Sequence, residues 1–203
     1  LGRANRFLSR WADRVALSLA GTTKLPPSVR TEVTGNPIRP AISALAGEPY
    51  TPPTDRIRLL ILGGSLGARV FSDVVPDALA RLPEALRSRM SVVQQCRTED
   101  LERVRSAYVN AGIDAELAPF FTDVAAKLRQ SNLAICRAGA STVAELALVG
   151  IPSVLVPLPS AIDDHQTANA ASLASVGGAW PMLQPTFTPD ALAARLTELL
   201  ADP

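Results

Sequence analysis

From Arg56 onward the chain alternates short apolar runs with helix-like stretches, and this alternation constrains the fold more than any other feature. Ile57 to Leu62 is apolar apart from Arg58 and ends in Gly63-Gly64. The pattern predicts a helix over Val70–Leu82, a strand over Ser91–Gln94, a helix over Glu99–Ala111 and a short strand over Ala115–Leu117. A helix over Thr122–Gln130 follows, capped by Thr122 or Asp123, then a strand over Leu133–Ile135 and a helix from Thr142. Ser153–Val156 is the next strand, Gln166–Ser175 a helix, and Ala179–Leu183 a short strand. The last helix starts at Pro189, where proline suits a first helical turn. Near-continuous apolar runs fit strands buried on both faces. Strands alternating with helices imply an α/β fold with a doubly wound parallel sheet. In such sheets ligands bind beyond the carboxyl ends of the strands.

Composition agrees with that expectation. The 203 residues are 47% hydrophobic but only 4% aromatic, so the core is expected to be mostly Ala, Leu and Val. Twenty basic and 19 acidic residues leave a net charge of +1, and no global field draws nucleic acid. No segment reaches the roughly 18 apolar residues of a membrane span. The nearest, Leu146 to Leu158, is broken by Gly150, Pro152 and Pro157. No signal peptide is evident, and the start at Leu1 without methionine leads us to expect a fragment. Cys96 and Cys136 lack metal-site spacing and read as reduced, partly buried thiols. The single histidine, His165, makes a zinc site improbable on ligand count.

The first quarter of the chain is different. Arg3 to Leu19 reads as a helix with Phe7, Leu8, Trp11, Val15 and Leu19 on one face. Lys24 to Thr54 carries seven prolines and reads as a linker or extended surface segment rather than a core element.

Four stretches carry chemistry. Gly63-Gly64-Ser65-Leu66-Gly67-Ala68-Arg69 follows a strand and opens a helix, where Ser65 and the amides suit a phosphate or diphosphate. The spacing matches neither a dinucleotide fingerprint nor a P-loop, and Gln94 and Gln95 stand where the former would have an acidic residue. Cys136 to Glu145 is a second strand–turn–helix, rich in small residues that let a ligand approach the backbone. Two readings stand for it: a capping box with Thr142 at the N-cap and Glu145 at N3, or a cradle in which Glu145 meets sugar hydroxyls. Asp163 to Asn169 either caps a helix through Asp163 or Asp164, or reads sugar hydroxyls with its polar side chains. Thr34 to Pro40 is either a surface turn or places Arg39 against a phosphate.

In this order the motifs resemble the MurG-type glycosyltransferases of bacterial peptidoglycan synthesis. The match rests on Thr34-Gly35-Asn36-Pro37-Ile38-Arg39, Gly63 to Arg69, Cys136 to Glu145, Gly150-Ile151-Pro152 and Asp164 to Ala170, and it spans essentially the whole chain. The resemblance implies the C-terminal, donor-binding half of a two-domain GT-B enzyme, Rossmann-like in fold. Residues 1–21 would then end the missing acceptor domain, 22–55 would cross between domains, and 56–203 would bind UDP-GlcNAc. The implied reaction inverts the anomeric centre as GlcNAc passes from UDP-GlcNAc to lipid I, forming lipid II without a metal or other cofactor. Acceptor site, catalytic base and most membrane contact would lie in the missing half, on the cytoplasmic face of the inner membrane. No catalytic residue is expected in this chain.

The resemblance also implies site roles. Arg39 and Ser65 would contact the donor, with Ser65 and Gly63, Gly64 and Gly67 at the diphosphate. Phe121 would hold the uracil, largely through its backbone, and Gln166 and Asn169 would read GlcNAc hydroxyls. Ala140, Ser141, Thr142, Val143 and Ala144 would cradle the nucleotide, with Glu145 on the ribose. Leu66, Cys96-Arg97 and the Pro159–Ile162 loop depart from the family pattern. Alternatives are another GT-B enzyme (a lipid glycosyltransferase or a UDP-GlcNAc 2-epimerase) and a non-catalytic donor-binding subunit needing a separate chain.

Overall fold

The described chain opens with α1 (Arg3–Leu8), a 3₁₀ turn at Ser9–Trp11 and β1 (Arg14–Leu17). The computed structural model describes residues 3–18, 21–64, 67–159 and 164–201. The helix expected over Arg3–Leu19 therefore ends early, and Leu19 lies outside the described residues. Its second half is drawn into a parallel pair with β2 (Arg30–Val33), with Arg14 opposite Arg30 and Leu17 opposite Val33. Phe7, Leu8 and Trp11 are exposed, so no buried apolar face favours a longer helix over the ladder bonds of the pair.

The proline-rich stretch is more than a surface strap. Arg39 starts α2 (Pro40–Ser43), with proline at the first helical position, and Ile42 is 1% exposed. Ile42 packs into the core with Leu60, Leu146 and Leu155, which corrects the expectation that this stretch stays out of the core. A segment crowded with prolines still has apolar residues to bury, and one short turn suffices to present them.

Beyond it the alternation is realised nearly as read. β3 (Ile57–Leu62) leads to α3 (Arg69–Ala80), then α4 (Glu84–Arg87), which the pattern did not predict, and β4 (Met90–Gln95). A 3₁₀ turn and α5 (Leu101–Asn110) precede β5 (Asp114–Ala118), followed by α6 (Val124–Gln130) and β6 (Leu133–Cys136). α7 (Ala140–Val149), β7 (Ser153–Leu155), α8 (His165–Ala174), β8 (Ala179–Pro181) and α9 (Pro189–Ala201) complete it. All pairs in this sheet are parallel, in the order β5-β4-β3-β6-β7-β8. The chain thus winds outward from β3 to β5, returns to the centre at β6, and winds outward again. β3 and β6 are neighbours at the point where strand order reverses.

Alternate residues of β3 face opposite cores. Ile57, Leu59 and Ile61 pack with residues of α3, α5 and α9, whereas Leu60 packs with α6, α7 and α8. α3 contains Pro76, which cannot donate to the Ser72 carbonyl one turn back. Arg103 Nη1 of α5 donates to that carbonyl at 3.1 Å, so the break is filled from the neighbouring helix.

Candidate functional site

Both glycine loops emerge at the reversal point, one from β3 and one from β6. After β3, the loop is obliged to contain glycine: a Cβ on Gly63 would sit 2.3 Å from the backbone nitrogen of Ala68. Gly67 has φ +68°, a left-handed conformation that disfavours side chains, and its N–H donates to the Gly64 carbonyl at 3.0 Å. Ser65 and Leu66, at the tip, lie outside the described residues.

After β6, helix α7 begins two residues earlier than expected. Gly139 is its N-cap and makes no side-chain bond, so the capping-box reading of Thr142 and Glu145 is wrong. Thr142 sits inside the first turn, and Glu145 points to Arg39 instead. The reason is spacing: a helix starting at Ala140 puts the small residues at the open end and moves Glu145 beyond reach of the N-cap amide. Helix geometry leaves the Ala140, Ser141 and Thr142 N–H groups without intrahelical acceptors. Val143 differs, since its N–H donates to Gly139 O at 2.9 Å and its side chain is buried in the core.

The segment Thr34–Arg39 docks on this helix end. Arg39 Nε and Nη2 donate to the two Glu145 oxygens, each at 2.9 Å, a bidentate pair. The hydrogen bond to Glu145 raises the Arg39 pKa above its ordinary value. Asn36 Nδ2 donates to Ser141 Oγ at 3.3 Å. Arg39 and Glu145, over a hundred residues apart, thus bracket one side of a cleft of about 260 Å3. Its other walls include Gly64, Gln95, Phe120 and Phe121. A larger groove of about 690 Å3 runs between the 48–58 strap and 128–132 at the amino ends of the strands. The smaller cleft is the candidate site, because open parallel sheets offer their loops and helix N-termini at the carboxyl ends.

The two aromatic residues after β5 divide their work. Phe121 is buried, with Lys127 Nζ 5.5 Å from its ring centroid, whereas Phe120 is 66% exposed on the cleft rim. Sequence reasoning singled out Phe121 and passed over Phe120. The signal was there: two consecutive aromatics leaving a strand point to opposite sides.

On α8, Gln166 Oε1 accepts from Leu158 N–H at 3.0 Å, and Asn169 Nδ2 donates to Ala138 O at 3.0 Å. Each side-chain amide therefore braces a loop at the carboxyl end of β7 or β6. Asp164 is the N-cap of α8 without a side-chain cap bond, and it accepts from Thr167 Oγ1 at 2.6 Å. Asp163 and most of the 159–162 loop lie outside the described residues. Asp123 is likewise an N-cap, of α6, without a side-chain cap bond; its carboxylate stands 3.6 Å from Lys127.

Two residues gained importance only with the fold. Arg137, half-buried at the end of β6, donates to Val156 O at 3.1 Å, Pro157 O at 3.2 Å and Gln184 Oε1 at 2.6 Å. Its guanidinium lies 5.4 Å from the Phe71 ring centroid, and burial lowers its pKa. Among the described residues it forms no ion pair, so its charge stands uncompensated by carboxylates near the reversal point. The second is Gln95, whose side-chain amide bonds to Gly63, Gly64 and Pro119. Burial pushes the Cys96 thiol up to about 11 and Cys136 up to about 12, and both cysteines are free. Neither supplies a thiolate nucleophile at neutral pH. Among the described residues, no three His, Cys, Asp or Glu come together to hold a metal ion, and no helix is long and apolar enough to cross a membrane.

A parallel sheet of this order, with two glycine loops and a helix N-terminus at its reversal point, defines a Rossmann-like α/β domain. The chain belongs to glycosyltransferase family 28: the model of that family's C-terminal domain matches residues 58–203. It is 64% identical, over its full length, to the UDP-N-acetylglucosamine--N-acetylmuramyl-(pentapeptide) pyrophosphoryl-undecaprenol N-acetylglucosamine transferase of Granulibacter bethesdensis. The Gluconobacter oxydans protein of the same name is 55% identical, again over the whole chain. The chain spans about half the length of these relatives, 53% and 56%. The crystal structure of Acinetobacter baumannii MurG superposes with a TM-score of 0.77 at 36% identity, covering 98% of this chain and 55% of that one.

Proposed function

We propose that this chain is the donor-binding half of an inverting transferase that moves GlcNAc from UDP-GlcNAc to lipid I, forming lipid II for peptidoglycan. The observation that carries the reading is the Arg39–Glu145 pair, one turn along α7 from its open N-terminus and sharing a cleft with Thr142 and with Gly64 of the β3 glycine loop. A nucleoside diphosphate laid between the two loops meets hydrogen-bond donors at its phosphates and acceptors at its ribose. The names of the relatives add GlcNAc and the lipid-linked acceptor.

In this reading Ser65 and the Gly64 N–H take the diphosphate, since the Gly63 and Gly67 N–H groups are bonded to Gln95 Oε1 and Gly64 O, and Arg39 turns from Glu145 toward it. Glu145, released, accepts from the ribose hydroxyls. The Phe121 backbone pairs with the uracil edge while the exposed Phe120 ring covers its face. Gln166 and Asn169, already bracing their loops, face the GlcNAc. As the glycosidic bond breaks, UDP gathers negative charge. The α7 N-terminus, worth about half a positive charge, and the open amides stabilise it without reorganising. The uncompensated Arg137 adds to the same field. Acceptor binding, the base that deprotonates the acceptor hydroxyl, and attachment to the cytoplasmic face of the inner membrane belong to the other half of the enzyme.

Titration calorimetry of the chain with UDP-GlcNAc tests the reading. Saturable binding, weakened by Glu145→Ala, is expected. A folded chain that binds no uridine nucleotide removes it.

A further inference from the structure

Gln95 ends β4 with 5% of its surface exposed, and its side chain spans two loops that line the same cleft. Its Oε1 accepts from Gly63 N–H at 3.2 Å. Its Nε2 donates to Gly64 O at 2.9 Å and to Pro119 O at 3.1 Å. The first two partners belong to the glycine loop after β3, and the third to the loop after β5 that carries Phe120 and Phe121. Both amide hydrogens and the amide oxygen are therefore engaged. Among side chains of this length only a neutral primary amide accepts once and donates twice. Glutamate lacks the donors, and leucine has neither donor nor acceptor.

We propose that Gln95 is a positioning residue that sets the separation between the phosphate side and the base side of the donor cleft. It acts through the backbone of Gly63, Gly64 and Pro119, holding the two loops at the span of a nucleoside diphosphate. Each loop keeps its own grip on its own part of the ligand. What depends on Gln95 is the simultaneous fit of both. The proposal rests on the donor-binding reading above.

The consequence is a split between ligands that span the cleft and ligands that do not. Binding of UDP and of uridine is measured by calorimetry, with ligand-observed NMR for the weaker uridine, on the unsubstituted chain, Gln95→Leu and Gln95→Glu. Losing the strut should weaken UDP by about tenfold or more, while uridine changes by less than about twofold. Equal weakening of both ligands, or of neither, overturns the proposal. Gln95→Glu keeps the shape and adds a readout that a merely structural role would not move. Near pH 8 its carboxylate faces two carbonyl oxygens. Toward about pH 5 a carboxyl raised by that environment gains a proton and donates again. Its UDP affinity, as a ratio to the unsubstituted chain at each pH, should recover on acidification; a flat ratio counts against the proposal. Uridine binding by the variants certifies their fold. Absence of UDP binding by the unsubstituted chain overturns the donor reading and this proposal together, whereas UDP binding indifferent to Gln95 overturns this proposal alone.

Discussion

Gln95 and Asn132 hold opposite ends of the same sheet with the same chemistry, and the ends differ in what they are for. At the amino end, Asn132 Oδ1 accepts from Arg58 N–H at 2.8 Å and Nδ2 donates to Thr51 O at 3.1 Å. Its backbone carbonyl takes the Tyr50 hydroxyl at 3.1 Å. This clamp ties the proline-rich strap to β3 and β6. At the carboxyl end, Gln95 ties loops that leave strands on either side of its own. One clamp faces a groove with no helix N-terminus opening into it, and the other faces the open first turn of α7. Direction in a parallel sheet is the cause: every strand delivers its helix start to one end, so only that end gathers free N–H groups. Loss of the amino-end clamp should therefore cost stability, and changes at the carboxyl end should cost binding.

The largest effect tests whether the carboxyl-end loop tolerates any side chain. Gly63→Ala places a methyl 2.3 Å from the Ala68 nitrogen, so the loop and the start of α3 must shift. We expect stability to fall by about 1–3 kcal/mol, with UDP binding lost from detection in calorimetry. A variant that binds normally would mean the loop geometry is irrelevant to the ligand.

Asn132→Ala breaks the comparison from the other side. It removes the acceptor of the Arg58 N–H and the donor to the Thr51 carbonyl at an exposed site that water can reach, and urea denaturation should report a loss of about 0.5–1.5 kcal/mol. UDP affinity should be unchanged, and a parallel fall in affinity would show that the two ends are not separable.

Glu145→Ala should do the reverse. The Arg39 side chain is half-exposed, so screening holds the pair's contribution to stability below about 1 kcal/mol. UDP-GlcNAc affinity should nonetheless drop by about tenfold, the scale of one lost hydrogen bond. A large fall in melting temperature without a fall in affinity would make Glu145 structural. Thr142→Ala is the smallest: with no cap bond to lose, stability should stay within about 0.5 kcal/mol. A drop above 1 kcal/mol would revive the cap.

How far the sequence led is clearest in particular stretches. β3 was legible residue for residue, because Ile57–Leu62 is apolar apart from the exposed Arg58, is bounded by glycine, and lies in the middle of the sheet with its apolar residues packed on both faces. The start of α7 was not, because Thr142 and Glu145 at capping spacing imitate an N-cap three residues beyond the real one at Gly139. The Arg3–Leu19 pattern misled for a related reason. Helical spacing is visible locally, but the partner strand Arg30–Val33 that draws Arg14–Leu17 away is not. Gln95 was read only as the lack of an acidic residue, since its three partners come from two other loops.

The amino-acid sequence by itself determined the α/β alternation, the apolar faces that force a parallel sheet, and the glycines whose backbone no other residue can follow. These are local properties, set by periodicity and steric exclusion along the chain. The tertiary structure decided which loops meet. The order β5-β4-β3-β6-β7-β8 brings both glycine loops to one reversal point, sets Arg39 on Glu145, and lets Gln95 span two loops. These contacts join residues far apart in sequence, and only the packing of helices on both faces of the sheet fixes the distances between them.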